Sequence, residues 1–280
     1  MEQNDLTMRP IAGRGELGLF CRLPCVLNEE LAGDLAAGRR RPGWMRVALR
    51  GDRLLARVGW RGRTGDGTPF LLDIFDIDDS SADRGCADTG VRLLRTALAE
   101  VVPAGTRPPG YLRNVPPGWR EDEVTRRVVE DRMAALERAG ARLLVERLRF
   151  EWRPGAPVPG PRGRLVFRPV RDTGEILALM TLVLDGTLDA HSRDDLTRMP
   201  AREAAVRHYE GELAHYRSPR DWWRIATLPD GEPAGFVTPA RNDYNPIIRA
   251  ATDLASTPMA NAFQRAGYVN FERKINMTWR

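Results

Sequence analysis

The chain closes on RAGYVNFERKINMTWR, Arg265 to Arg280, and this stretch decides how the rest is read. A near copy, RAGARLLVERLRFEWR, runs from Arg138 to Arg153, at a constant offset and without a gap. Both begin RAG and end WR. The openings repeat too: MRPI at Met8 to Ile11 has its echo in FRPV at Phe167 to Val170. Self-similarity of this kind marks a repeated structural unit. Between the copies lies PGAPVPGPRG, Pro154 to Gly163, whose prolines and glycines sustain neither a helix nor a central strand. The reading is an N-terminal domain over 1–153, a Pro/Gly-rich linker over 154–163 and a C-terminal domain over 164–280.

Each half reads as mixed α+β. In the first, Arg46–Leu49 and Leu54–Trp60 form a hairpin around Gly51-Asp52, and Phe70–Ile77 is a strand. Val91–Val102 and Val124–Arg138 carry apolar residues at helical spacing, the second stopped by Gly140, and Leu143–Trp152 is a strand. In the second half, a strand at Leu165–Val170 precedes helices at Glu175–Leu184 and Ala201–Tyr216. A hairpin pairs Trp223–Leu228 with Ala234–Thr238 around Pro229-Asp230-Gly231. Ile247–Ala251 is strand-like; Pro258–Arg265 is a helix with Thr257 as N-cap; Tyr268–Trp279 is the final strand. Hairpins in both halves exclude a doubly wound parallel sheet.

The 280 residues suffice for two domains of ordinary size. Lys274 is the sole lysine, so all but one of the 43 Lys and Arg residues are arginine, a bias that reads as GC-rich coding rather than selection for arginine chemistry. The net charge of +5 comes with 38 acidic residues interleaved among the basic ones, and the densest basic run, Arg39-Arg40-Arg41, is short; both argue against a nucleic-acid footprint. Three cysteines, Cys21, Cys25 and Cys86, give an odd count that fits a reducing compartment. Cys21 and Cys25 have the spacing of one helix face. His191, His208 and His215 lie far downstream of the cysteines, so no metal site is expected. The first residues, MEQNDLTMRP, are polar without an apolar h-region, and the longest apolar run, Ile176–Leu184, falls short of the ~20 residues that span a bilayer. The expectation is a cytoplasmic protein without a membrane partner.

The segment TDLASTPMANAFQRAGY, Thr252 to Tyr268, resembles the GNAT N-acetyltransferase superfamily. There a strand leads into a helix of pattern N-x-x-A-x-x-x-Y-x-x-x-G-F/Y, and this chain presents Ser256, Met259, Phe263, Gly267 and Tyr268 at those positions. Two such domains in tandem resemble the mycothiol synthase type. The resemblance implies that strands four and five splay apart around coenzyme A. A loop of pattern [Q/R]-x-x-G-x-[G/A] and the helix start after it would hold the pyrophosphate. The pantetheine arm would add along a strand edge, and a base would take the proton of the acceptor amine. It further implies a backbone N–H near a bulge in strand four to polarise the thioester carbonyl, and often a helix tyrosine as acid.

Carried onto this chain, the loop pattern falls on Arg84, Ala87 and Thr89, with Gly90 opening the helix. Asp88 places a carboxylate where phosphates would lie, which like-charge repulsion opposes; the plainer reading is a capped surface loop. Ile247, Ile248 and Ser256 are the implied coenzyme contacts of the second half, where helix capping competes for Ser256. The candidates for catalysis are Asp243 and Glu210 as base, and Tyr244 beside the thioester site. His208 and Glu212, four apart, share a helix face that reads more simply as solvated. Phe263 stands at the tyrosine position and cannot donate a proton; its plainer role is packing.

The second domain is also short. It runs from Trp222 to Trp279 over ground that the first covers from Trp44 to Trp152, and NDYNPII meets RAATDL directly at Ile248–Arg249, where the pyrophosphate-loop region belongs. Either a glycine-rich segment belongs at this junction in the natural reading frame, or the domain has lost its coenzyme grip. The first is expected. Removing a central strand and helix uncovers apolar surface at about 25 cal/mol per Å², against a stability margin of ~5–15 kcal/mol. The resulting expectation is an acetyl-CoA-dependent N-acetyltransferase acting on a small-molecule amine, catalytic in its second domain. Its alternative is a GNAT-fold binding or regulatory protein that no longer holds coenzyme A.

Overall fold

The computed structural model describes residues 6–80, 85–158, 160, 163–241 and 247–279. In chain order the elements are β1 (Leu6–Pro10), α1 (Leu17–Phe20), α2 (Leu31–Ala36), β2 (Met45–Arg50), β3 (Arg53–Gly62), β4 (Pro69–Ile77), α3 (Gly85–Val101), β5 (Tyr111–Val115), α4 (Glu123–Arg138) and β6 (Arg142–Trp152). There follow β7 (Val166–Pro169), α5 (Thr173–Leu182), α6 (Ala190–Leu196), α7 (Ala201–Gly211), β8 (Arg224–Thr227), β9 (Pro233–Val237), β10 (Ile248–Asp253), α8 (Thr257–Arg265) and β11 (Val269–Thr278). Two compact units result. One comprises Met1–Glu146 with Glu272–Arg280, the other Arg147–Phe271. The chain passes from the first unit to the second within β6 and returns within β11.

In the first unit, β1, β2, β3 and β4 form an antiparallel meander. Gly51 turns the β2–β3 hairpin at φ 58, a conformation that favours a residue without Cβ. The repeated closing phrase finds its place here: β11 lies antiparallel to β5, pairing Arg273 with Val115 and Met277 with Tyr111. Arg107 holds the returning end by donating to the carbonyl of Trp279 at 2.6 Å. The last stretch of the chain thus completes the sheet of the first unit. Apolar residues fill both faces of this sheet. Trp60, Phe75, Leu94 and Leu136 pack on the side of α3 and α4, and Phe20, Leu31, Met45 and Ile74 pack on the side of α1 and α2.

The second unit holds the antiparallel pair β6–β10, in register from Ile248↔Trp152 to Asp253↔Arg147. It also holds a three-stranded sheet in the order β7-β8-β9. Ile176, Met180, Ala205, Leu213 and Trp223 form its core. The repeated openings are visible as one device used twice. Arg9 forks onto Glu16 at 2.7 Å on both nitrogens, and the same carboxylate accepts from Ala12 N. Arg168 forks onto Glu175 at 3.2 and 2.8 Å, and that carboxylate accepts from Arg171 N. The hydrogen bonds from Arg9 and from Arg168 hold the two carboxyls down at about 2.

Several elements differ from expectation. Helix α3 spans Gly85–Val101, ahead of the expected Val91, and Gly90 within it lies against Ile77 and Phe75 of β4. Helix α7 ends at Gly211, and a single 3₁₀ turn, Leu213–His215, finishes the expected span. Cys21 ends α1 while Cys25 is extended, so the two share no helix face. Thr257 is the first residue of α8, not its cap; Ser256 caps through its backbone carbonyl to Ala260 N, without a side-chain bond. Strands β1 and β5 and helix α6 carry too few periodic positions to have been read from sequence.

A Cβ on Gly90 would lie 2.9 Å from Ile77 Cγ1 and 3.0 Å from its Cδ1. Gly90→Ala is expected to destabilise the protein by about 1–3 kcal/mol through overpacking, read as a lower urea midpoint at unchanged slope.

Candidate functional site

The parallel strands β4 and β5 of the first unit meet at one pair, Leu72↔Tyr111, and then part. The cause is local. Gly59 pairs with Ile74 and Trp60 with Leu72, which leaves Asp73 unmatched in β4 as a bulge. Arg40, fully buried, grips that bulge through both oxygens of Asp73 at 2.7 and 2.6 Å and also bonds Asp34 at 3.0 Å. Arg39 pairs with Asp34, and Arg41 lies over the Trp44 ring. The basic run Arg39-Arg40-Arg41 is therefore engaged in folding the unit.

Beyond the bulge the gap is bridged by side chains. Asp76, 1 % exposed, accepts from Arg57 of β3 at 3.0 and 2.9 Å and from Arg113 of β5 at 2.9 Å. Arg132 of α4 stands 3.6 Å from the same carboxylate. Arg113 also reaches the carbonyl of Phe75 at 3.4 Å; Arg132 donates to the carbonyl of Ile77 at 3.0 Å and to Asp79 at 2.6 Å. Burial opposes the charge on Asp76, but Arg113, Arg57 and Arg132 outweigh it and hold its carboxyl below the ordinary value. The same surroundings hold the Arg113 guanidinium charged against its burial. Polar atoms of β4 that face the gap are thereby taken by the unit's own arginines.

The coenzyme residues expected in this unit fall partly inside the fold. Thr89 and Gly90 are buried in α3, Ala87 is half-buried, and Arg84 lies outside the described residues. Asp88 is exposed and pairs with Arg138 at 2.6 Å.

In the second unit, β10 is an edge strand: β6 lies on one side, and no strand lies on the other among the described residues. Ile248 is 54 % exposed, and Ile247 directly precedes the strand. Ile248 and Arg249, the junction where the resemblance requires a further segment, are consecutive residues of β10. At its far end β10 delivers Asp253 to the N-terminus of α6, where Asp253 accepts from Ala190 N at 2.6 Å and pairs with Arg147 at 3.0 Å. Ser256 follows at the start of α8. Phe263 stacks between Phe150 and Tyr268, each 5.3 Å away. Burial pushes the Tyr268 phenol up.

Of the candidate catalytic residues, Asp243 and Tyr244 lie outside the described residues. Glu210 is exposed on α7, and His208 meets Glu212 at 3.8 Å, both more than half exposed. The structure brings none of the described candidates together. Sequence reading overlooked Asp76, Arg113 and Arg132. Asp76 carried a usable signal, a carboxylate inside the apolar run of β4 that demands a buried partner.

No family model matches the chain, and no curated protein is similar to it. Among solved structures it is similar to a GCN5-related N-acetyltransferase from Sphaerobacter thermophilus, at TM-score 0.50 and 12% identity over 99% of this chain and 96% of that one. The chain has the GCN5-related N-acetyltransferase fold. Weaker likenesses are a tandem GNAT protein from the clavulanic acid biosynthesis pathway (TM-score 0.42, 15% identity, 98% of both chains) and a GNAT-family acetyltransferase from Colwellia psychrerythraea (TM-score 0.38, 8% identity, 98% and 100%). Among the described residues no helix is long and apolar enough to cross a membrane, and no cluster of His, Cys, Asp or Glu could hold a metal.

Two outcomes follow for Asp76. Asp76→Asn leaves the buried Arg57 and the half-buried Arg113 without a counter-charge and is expected to cost about 3–5 kcal/mol, measured by denaturant unfolding. The folded carboxyl titrates below its ordinary value, so its stabilisation is present above the unfolded value of about 4 and fades as pH falls through the folded one. Acid unfolding of the wild type followed by circular dichroism should show that loss, and Asp76→Asn should flatten it.

Proposed function

We propose that the protein is an acetyl-CoA-dependent N-acyltransferase for the amine of a small molecule, and that its second unit carries the chemistry. The observation that carries this reading is the free edge of β10 leading into the start of α8, in a chain with the acetyltransferase fold. A strand edge offers unpaired backbone groups for an extended pantetheine arm, and a helix start favours anionic groups. Ile248 at the edge and Ser256 at the helix start would hold the coenzyme, whose thioester supplies the activated acyl group. Asp243 or Glu210 would take the proton of the acceptor amine, with Tyr244 beside them. Phe263 has no proton to give, so release of the thiolate would draw on another group or on water. The first unit keeps the bulged strand, but its gap does not fit a coenzyme, because Arg113 and Arg132 already occupy the carbonyls of Phe75 and Ile77.

A second reading is a fold-retaining binding or regulatory protein. The packing of Phe263 between Phe150 and Tyr268 favours it, since that position then serves ring contacts and not proton transfer.

Thermal and denaturant unfolding with acetyl-CoA separates the two. Ligand at 100 times Kd is expected to add about 2.7 kcal/mol, with calorimetry giving one site per chain; no shift supports the second reading. Transfer of labelled acetyl to a panel of small amines should fall in Asp243→Ala or Glu210→Ala, and unchanged turnover removes that residue from the mechanism.

A further inference from the structure

The second unit contains a cavity of about 140 Å³ at the end of β7, where the chain enters α5. Its volume is close to that of an engineered cavity of about 150 Å³ that accepts benzene. Ile176 and Trp223, 1 % and 2 % exposed, supply buried apolar lining, and Tyr209 adds a wall with its ring edge-on to Trp223. The remaining lining is Val170, Thr173 and three charged residues, Arg171, Asp172 and Arg220, of which Arg171 pairs with Glu175 at 2.6 Å. Arg220 lies 4.1 Å above the Trp223 ring and 5.7 Å from that of Tyr209. It donates to the carbonyl of Ala214 at 3.3 Å and forms no ion pair among the described residues. Asp172 accepts from Glu175 N at 2.8 Å through one carboxylate oxygen and likewise forms no ion pair among them. The Trp223 indole N–H is buried without a hydrogen-bond partner.

An aromatic-backed cation without a counter-ion, a carboxylate with a spare oxygen and an apolar recess share one small cavity. The cation lacks a carboxylate, the carboxylate lacks an ammonium, and the recess lacks a side chain. We propose that this cavity is a binding site for a free amino acid of small apolar side chain: the α-carboxylate on Arg220, the α-ammonium on Asp172, and the side chain against Tyr209, Trp223 and Ile176. The repeat supplies a second argument. The Arg–Glu clamp beside the cavity exists in both units, but where the second has Asp172 and Thr173 the first has Gly13 and Arg14. The cavity's carboxylate is thus particular to the second unit and not part of the shared fold. The inference stands apart from acyl transfer, because it concerns binding in the absence of coenzyme.

The test uses the full chain, labelled with ¹⁵N and titrated with L-valine without acetyl-CoA. The readout is the indole N–H resonance of Trp223, assigned through Trp223→Phe. Valine is expected to shift it saturably. Isovalerate, which lacks the amine, and isobutylamine, which lacks the carboxylate, should bind at least about tenfold more weakly, as loss of a charge-assisted bond requires. Arg220→Gln should weaken valine binding by a similar factor with its circular dichroism unchanged. Asp172→Asn, which keeps the capping oxygen, should erase the preference for valine over isovalerate. An indole resonance that valine leaves in place overturns the proposal. So does isovalerate binding as tightly as valine to the wild type, or Arg220→Gln binding valine undiminished.

Discussion

Two parallel strands that separate after a single pair leave backbone groups and side chains that must be satisfied by something. In the first unit that need is met internally. Asp76 sits where β4 has left β5, and a carboxylate at 1 % exposure is tolerable only with its charge balanced. Arg57 comes from β3, Arg113 from β5 and Arg132 from α4, so one carboxylate ties together three elements that the diverging strands would otherwise leave loose. Arg113 and Arg132 then reach past it to the carbonyls of Phe75 and Ile77. The gap becomes a structural joint. A nucleotide thioester would have to displace buried ion pairs to enter it, and truncating Asp76 strands Arg57.

The bulge at Asp73 and the joint at Asp76 are three residues apart, yet they act differently. The bulge bends β4 away from β5 and is held by Arg40 from beneath. The joint closes what the bulge opened. A bulge is a backbone feature that persists while side chains around it change, whereas occupancy of the gap depends on a few charged residues. The first unit thus combines a bulged, parting pair of strands with a bridged gap. The second has an open strand edge at β10 and a helix start at Ser256.

Much of this was legible from the residues. The hairpin at Gly51, the helix stopped at Gly140, and the strands that run to Trp152 and Thr278 follow from turn chemistry and periodicity, which act over a few neighbours. The echo of MRPI in FRPV hid a longer identity: Glu16 and Glu175 stand equally far beyond their arginines, and the clamp they form could have been found by extending the comparison. The start of α3 was missed because Asp88 and Gly90 read as loop residues, while in the fold Gly90 is the point of closest approach to Ile77.

By itself the sequence determined the repeated opening and closing phrases, the α+β character and the absence of a proton donor at Phe263, since each is written in local order or residue identity. Tertiary structure alone decided that the closing phrase serves the first unit's sheet, that Asp76 collects arginines from separate elements, and that Arg220 and Asp172 border one cavity. The reason is sequence separation: Met277 meets Tyr111, and Arg132 meets Asp79, across stretches of chain that no local rule of spacing or propensity connects.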